Sequence, residues 1–328
     1  MRYRVWWALY TLEQRLCNMT GRASSVPDQF CTAPLPVPLE EDQFDTETGE
    51  ALFSKEAQER ERAPWANPPG SQPHLPTNPS FRKNRRHRAN AVKLAHLLRH
   101  TSDRNLRWAQ QDLPPNTALF FLHLVQLSRL SQTIFNQLYG KFPGLESRTY
   151  DPRFIHSLLG DLDAWRRKLP AAFDFTKQEE YPAQYVSHLK FTLGLLYYEA
   201  KMRTLFPYVS RRCGRSTDLE FSTLQDSADL VSRRCVEAAL ALLDLFPDGP
   251  AADRPLRIAP WWGVVPCLVQ AAAVLSMEIY SRTTATAELM EAATKAINWL
   301  HVLGRRDPWA KRAWIICNLT LRIAIQKS

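Results

Sequence analysis

From Asn116 to the end, no stretch alternates polar and apolar residues in the two-residue period of a strand. The apolar positions recur every third or fourth residue, which is the spacing of a helix with one buried face. Phe120, Leu122, Leu124, Leu127, Leu130, Ile134, Phe135 and Leu138 predict a helix over about 117–139, ended by Gly140 and Pro143. Asp151-Pro152 and Asp307-Pro308 each place an N-cap before a proline at the first helical position. Further helices are expected over 152–169, 182–206, 219–246, 261–281, 287–303 and 308–325. Pro170 and Pro207 serve as stops. The fold class is all-α: an array of about seven to eight antiparallel helices with a long disordered insertion after the first.

That first helix opens the chain. Val5, Leu9, Leu12 and Leu16 recur at i, i+4, i+7 and i+11, and Trp6, Tyr10 and Cys17 widen the stripe, with Trp7 beside Trp6. This face is expected to be buried, because two adjacent indoles need a large partner surface. Gly21 follows the last periodic turn, where a left-handed cap suits glycine. Arg22 is placed to meet the last carbonyls. An extended, Pro-punctuated segment follows.

Between 37 and 115 the periodicity fails. Glu40 to Arg62 is acidic, net −6; Pro64 to Pro79 is rich in Pro, Asn and Gly; Arg82 to Arg107 is basic, net +8. Neither the acidic nor the Pro-rich stretch buries enough apolar surface to offset its ordering entropy. The basic run Arg82, Lys83, Arg85, Arg86 and Arg88 is a candidate nuclear-import signal. It also suits contact with a phosphate backbone, or simply a solvated loop. The expected division is 1–36, 37–115 and 116–328.

Reactive chemistry finds little support in the residues. The six cysteines show no C-x-x-C spacing and read as buried thiols. No G-x-S-x-G, phosphate loop, H-E-x-x-H or dinucleotide fingerprint occurs. His96 and His100, four apart, have no third ligand nearby, so neither a catalytic nor a metal site is expected. Asp161 and Asp163 read as solvated charges. Ile258 to Met277 carries no charge, and its prolines and Gln270 favour a core helix over a membrane span. Trp6, Trp7, Tyr10, Trp165, Tyr197, Tyr198, Trp261 and Trp262 read as core. Their alternative is the wall of a small-molecule pocket between helices, in a helical carrier or enzyme.

Several of these residues carry a resemblance. Arg4, Trp6, Trp7, Tyr10 and Glu13, then Gly21-Arg22-x-x-Ser25, then Asp28 and Leu35-Pro36, resemble the signature of the fungal-specific transcription factor domain. Leu162-Asp163-Ala164-Trp165-Arg166 with Lys168-Leu169-Pro170 is similar to a later segment of that family. Leu196-Tyr197-Tyr198 with Leu205-Phe206-Pro207 is similar to another, although an arginine usual in that turn is missing. Against this pattern, 37–115 is an insertion or a retained intron. The resemblance implies the regulatory middle region of a binuclear zinc-cluster transcription factor, cut short on its amino side and acting in the nucleus. It implies zinc and DNA contact only through a cluster module that this sequence lacks, with no cofactor in the chain itself. Co-regulators or a small effector would be its partners, homodimers are possible, and no membrane is implied. The position of any effector pocket is unknown at this level.

Overall fold

The computed structural model describes residues 2–22, 24–26, 33, 35–40, 115–139, 152–177, 184–214, 222–248, 261–281 and 286–327. The backbone alone is described at 2, 152, 184, 211–214, 222–228, 261 and 262. Asp28, the basic run from Arg82 to Arg88, His96 and His100 lie outside the described residues, as do the side chains of Trp261 and Trp262. So does the expected insertion, apart from its first four positions and Pro115. Every long regular element among the described residues is an α-helix. These are α1 (Arg2–Thr20), α2 (Thr117–Tyr139), α3 (Pro152–Arg167), α4 (Gln184–Gly214), α5 (Ser222–Asp244), α6 (Trp261–Ser281), α7 (Ala287–Gly304) and α8 (Pro308–Lys327). A 3-10 turn, Ala171–Phe173, follows α3. The chain divides into two compact units, Met1–Ala33 with His123–Ser328, and Pro34–Leu122.

In the first unit α6 is the central rod and packs against α4, α5, α7 and α8. Its composition explains the position. Val264, Cys267, Leu268, Ala271, Ala272, Val274, Leu275 and Ile279 are all buried, so apolar surface points in several directions around the helix. Gly263–Ser281 is long and apolar enough to cross a membrane, yet in this fold most of that surface is covered by neighbouring helices. Pro266 lies in its second turn, where few backbone bonds are lost. Pro207 sits inside α4. The helix continues past it to Gly214, so the stop expected at Phe206 is not where α4 ends. Gly304 closes α7 where Lys311 backs onto it. A Cβ there would meet the Lys311 Cα at 2.9 Å, so the α7–α8 corner requires the missing side chain.

The expected cap at Asp307 forms: its Oδ1 accepts the Ala310 N–H at 2.8 Å. The expected glycine cap forms as well. Gly21 has φ +66°, and the Arg22 N–H donates to the Cys17 carbonyl at 3.2 Å, the long-range bond of a Schellman ending.

The aromatic signature around Trp165 is a packing lock. Trp165 stacks on Tyr197 with ring centres 6.1 Å apart. Phe175 joins both Tyr197 and Tyr198, at 5.2 and 5.6 Å. The Tyr197 hydroxyl donates to Asp163 Oδ1, and Lys201 Nζ lies 3.6 Å from the same oxygen. Asp163 is therefore a paired group rather than the solvated charge its position suggests. Burial, reinforced by the Asp163 carboxylate, pushes the Tyr197 hydroxyl well above its usual pKa.

His123, on α2, is completely enclosed at 0% exposure and sits edge-on to Phe173 at 6.2 Å. Burial pushes its pKa down from 6.5 to about 4, so the ring is neutral. The unfolded chain takes up a proton below pH 6.5 that the native ring refuses until about pH 4. Stability should therefore fall on acidification through that window, by about 3 kcal/mol from this group. Urea unfolding of the protein and of His123→Leu between pH 7 and 4.5 checks this. The expected result is a flatter pH slope in the variant, and equal slopes would refute the assignment.

The second unit holds Pro36, Pro38 and Leu39, all buried, with Leu39 at 1% exposure. Glu40 Oε1 accepts the Thr117 N–H at 2.8 Å and the Thr117 hydroxyl at 2.6 Å. A carboxylate at the start of α2 satisfies otherwise orphaned donors and opposes the positive end of the helix dipole. Asn116 Oδ1 caps the same end through the Leu119 N–H at 2.7 Å.

Candidate functional site

One face of α1 governs the site, and it is not the expected one. Val5, Leu9, Leu12 and Leu16 are 55, 60, 49 and 52% exposed, so the apolar stripe faces outward. The buried line is Trp7, Tyr10, Gln14 and Cys17, advanced by roughly half a turn. Trp7 is 1% exposed and Trp6 39%, so the two indoles separate in role. Trp7 meets Tyr10 edge-on at 5.2 Å and carries the Arg129 guanidinium over its ring at 5.6 Å. Periodicity marks a face, and it leaves open whether that face is covered. Here the covered side also carries polar groups that find partners in the following turn and in neighbouring helices.

The first of these is Glu13. Its carboxylate accepts the Ser24 hydroxyl at 2.8 Å, the Ser25 N–H at 2.7 Å and the Ser25 hydroxyl at 3.1 Å. The chain leaving Gly21 is thus turned back onto α1. Burial raises the Glu13 pKa, but the bonds from Ser24 and Ser25 outweigh it and the net shift is downward. The acid, the Gly-Arg turn and Ser25 form one structural unit. Arg22 is exposed and contributes its backbone N–H to the cap, while Arg4 is half-buried. Pro36 belongs to the other unit.

The second is Arg15. It pairs with Glu199 of α4, and its Nη2 donates to the Gly263 carbonyl of α6 at 2.5 Å and reaches Cys267 Sγ at 3.8 Å. Arg203 Nη2 binds the other Glu199 oxygen at 2.7 Å. Glu199 is 3% exposed. Burial works against its charge, but Arg15 and Arg203 prevail and hold its pKa below the usual carboxylate range. Arg15 shows the mirror case, with burial opposing its charge and Glu199 more than restoring it. Two cations and one anion leave a net positive charge enclosed among α1, α4 and α6.

This cluster lines part of a cavity of about 240 Å³. Leu12, Leu124, Leu127, Leu195 and Leu196 give it aliphatic walls, and Thr11, Ser128, Ser131 and Thr192 add hydroxyls. Among the described residues no lining side chain is aromatic; the side chains of Trp261 and Trp262, beside the lining residue Gly263, lie outside them. Chemically it favours binding over reaction. Burial and the neighbouring Glu199 push the Cys267 thiol up to about 12, which leaves almost no thiolate to act as a nucleophile. Among the described residues, no three of His, Cys, Asp and Glu gather where they could hold a metal ion.

Arg15, Glu199 and Arg203 were not singled out by the sequence reading. One signal was available: Glu199 is the only acid between Glu180 and Asp218, set in an otherwise apolar and basic helix. A lone acid on such a face needs a buried cation. Nothing in the order of residues says that the cation comes from Arg15.

Residues 1–178 match the family model described as the fungal specific transcription factor domain. The chain is also similar to the transcription regulator galc of Aspergillus niger, 26% identical over 360 residues that cover 98% of this chain. It spans 40% of that relative's length. No solved structure matches it.

Proposed function

Because the chain belongs to the fungal-specific transcription factor domain family, we propose that it regulates transcription by RNA polymerase II in the nucleus. The family match, which reaches from α1 through the 3-10 turn, carries this reading. The domain acts through contacts with co-regulators, with a small effector, or with a DNA-reading module of a longer protein. Arg15 supplies a mechanical basis. It ties α1 to both α4 and α6, so a partner that prefers one setting of α1 shifts the population of the whole bundle. The exposed stripe Val5, Leu9, Leu12 and Leu16 gives such a partner an apolar surface. Nuclear entry is assigned to Arg82, Lys83, Arg85, Arg86 and Arg88; a fluorescent fusion that stays nuclear with all five as alanine removes that part.

The regulatory role is tested by fusing the chain to an unrelated DNA-binding module in a fungal reporter strain. Reporter output should differ severalfold from that of the module alone, and Trp7→Ala should abolish the difference. An unchanged output from a folded, nuclear fusion overturns the reading.

A further inference from the structure

The last helix, α8, is apolar on two sides, and only one of them is covered. Ala310, Cys317, Leu321 and Ala324 are buried where the helix packs on α6 and α7. Turned away from them are Trp309, Ile315, Ile316, Leu319 and Ile323, which are between 50 and 68% exposed. Trp309, Ile316 and Ile323 recur every seven residues, with Leu319 between the last two. The outer side is therefore a continuous seam of the kind that packs on another helix, rather than a scatter of apolar positions. A helix that is apolar all round is ordinarily covered all round. Five large apolar side chains gathered on one exposed face mark an interaction surface.

The charges on this face indicate what covers it. Arg312 lies within the seam, between Trp309 and Ile316, with its guanidinium over the Trp309 ring at 5.8 Å. Arg322 follows ten residues later on the same side, and both arginines are exposed. α8 itself contains no acid. Asp307, just before it, is spent on the Ala310 N–H at 2.8 Å. Among the described residues neither arginine has an ion pair. A second copy of the chain fits poorly, because two such faces would set bases against bases with no acid between them. A bilayer fits poorly as well. It would draw Arg312 down together with the Trp309 and Ile316 that flank it, whereas a helix can bring an acid to the guanidinium.

We propose that the outer face of α8 docks an amphipathic helix of a partner protein whose apolar seam is flanked by acidic residues. Its aliphatic side chains pack among Trp309, Ile316, Leu319 and Ile323, at the spacing by which one helix reads another. Two of its carboxylates, about 15 Å apart along the axis, meet Arg312 and Arg322. Tryptophan and arginine are the residue types that most often carry the energy of such contacts. As the contact of a co-regulator this rests on the transcriptional reading; as a docking surface it stands alone.

The test is fluorescence anisotropy of a labelled three-heptad peptide titrated with the purified chain. The peptide carries leucine at its seam positions and glutamate beside them, and is compared with versions holding glutamine or lysine in place of glutamate. The glutamate peptide should bind saturably, and the other two at least tenfold more weakly. Ile316→Gln with Ile323→Gln should weaken binding at least tenfold while the circular dichroism spectrum stays unchanged, since both side chains are exposed. Arg312→Glu with Arg322→Glu should make the lysine peptide the tighter binder. No saturable binding at millimolar concentration, equal binding of the three peptides, or full binding by the folded Ile316→Gln, Ile323→Gln variant would each overturn the proposal. So would a dimer in sedimentation that this variant splits, or partition into anionic phospholipid vesicles that this variant abolishes. A reporter that responds while the peptide fails to bind removes the surface and spares the regulatory role; peptide binding with a silent reporter does the reverse.

Discussion

Replacing Glu199 by alanine is expected to destabilise the protein by about 3–5 kcal/mol, the usual cost of leaving a buried charge without its partner. The geometry makes this site a severe case. Glu199 is the shared anion of Arg15 and Arg203, so its loss leaves two largely buried guanidiniums with no anion between them. Arg15 would keep the Gly263 carbonyl, which offers a partial dipole in place of a full charge. Urea unfolding at pH 7 measures the effect. The triple replacement Arg15→Met, Glu199→Leu, Arg203→Met removes all three charges and should recover most of the loss. That recovery distinguishes an electrostatic cause from damaged packing. A loss below about 1 kcal/mol in Glu199→Ala would show the cluster to be solvated in practice. The contribution also has a pH signature. Glu199 is held below its usual 4.5, so its stabilisation is present above that pH and is lost as pH falls through the folded value. The His123 effect belongs to the more neutral side of that boundary.

The second large effect separates the adjacent tryptophans. Trp7→Ala is expected to cost about 3–5 kcal/mol, as full truncation of a buried indole does. Trp7 is enclosed, meets Tyr10 edge-on and lies beneath Arg129. Trp6→Ala should cost no more than about 1 kcal/mol, since a partly exposed side chain leaves a smaller cavity. Comparing the unfolding midpoints of the two variants decides it, and equal losses would mean that the observed setting of α1 is wrong. Because Trp7 also positions the helix that carries Arg15, its replacement should weaken whatever depends on the ion cluster.

The helices were legible because their ends are chemically marked. Asp307-Pro308 and Gly21 each announce a terminus by a local rule, and local rules survive folding. Pro207 misled because the interior of α4 accommodates it. The rotation of α1 was hidden for a different reason. Its outward face is the more apolar one, while its inward face carries Gln14, Arg15 and Glu13. These polar residues turn inward to partners at Ser24, Glu199 and Gly263, and two of those partners lie far along the chain. The same holds for Asp163, whose partner Tyr197 comes a helix later. Hydropathy records what a side chain tolerates, whereas the site depends on which distant groups it meets.

The bond between Glu40 and Thr117 bears on chain length. It joins two positions 77 residues apart at the root of everything between them. A staple at the base uncouples the register of the flanking segments from the number of residues strung across it. A change in the number of residues between them is therefore expected to leave this pairing in place, provided that the acid and the hydroxyl at its two feet are kept.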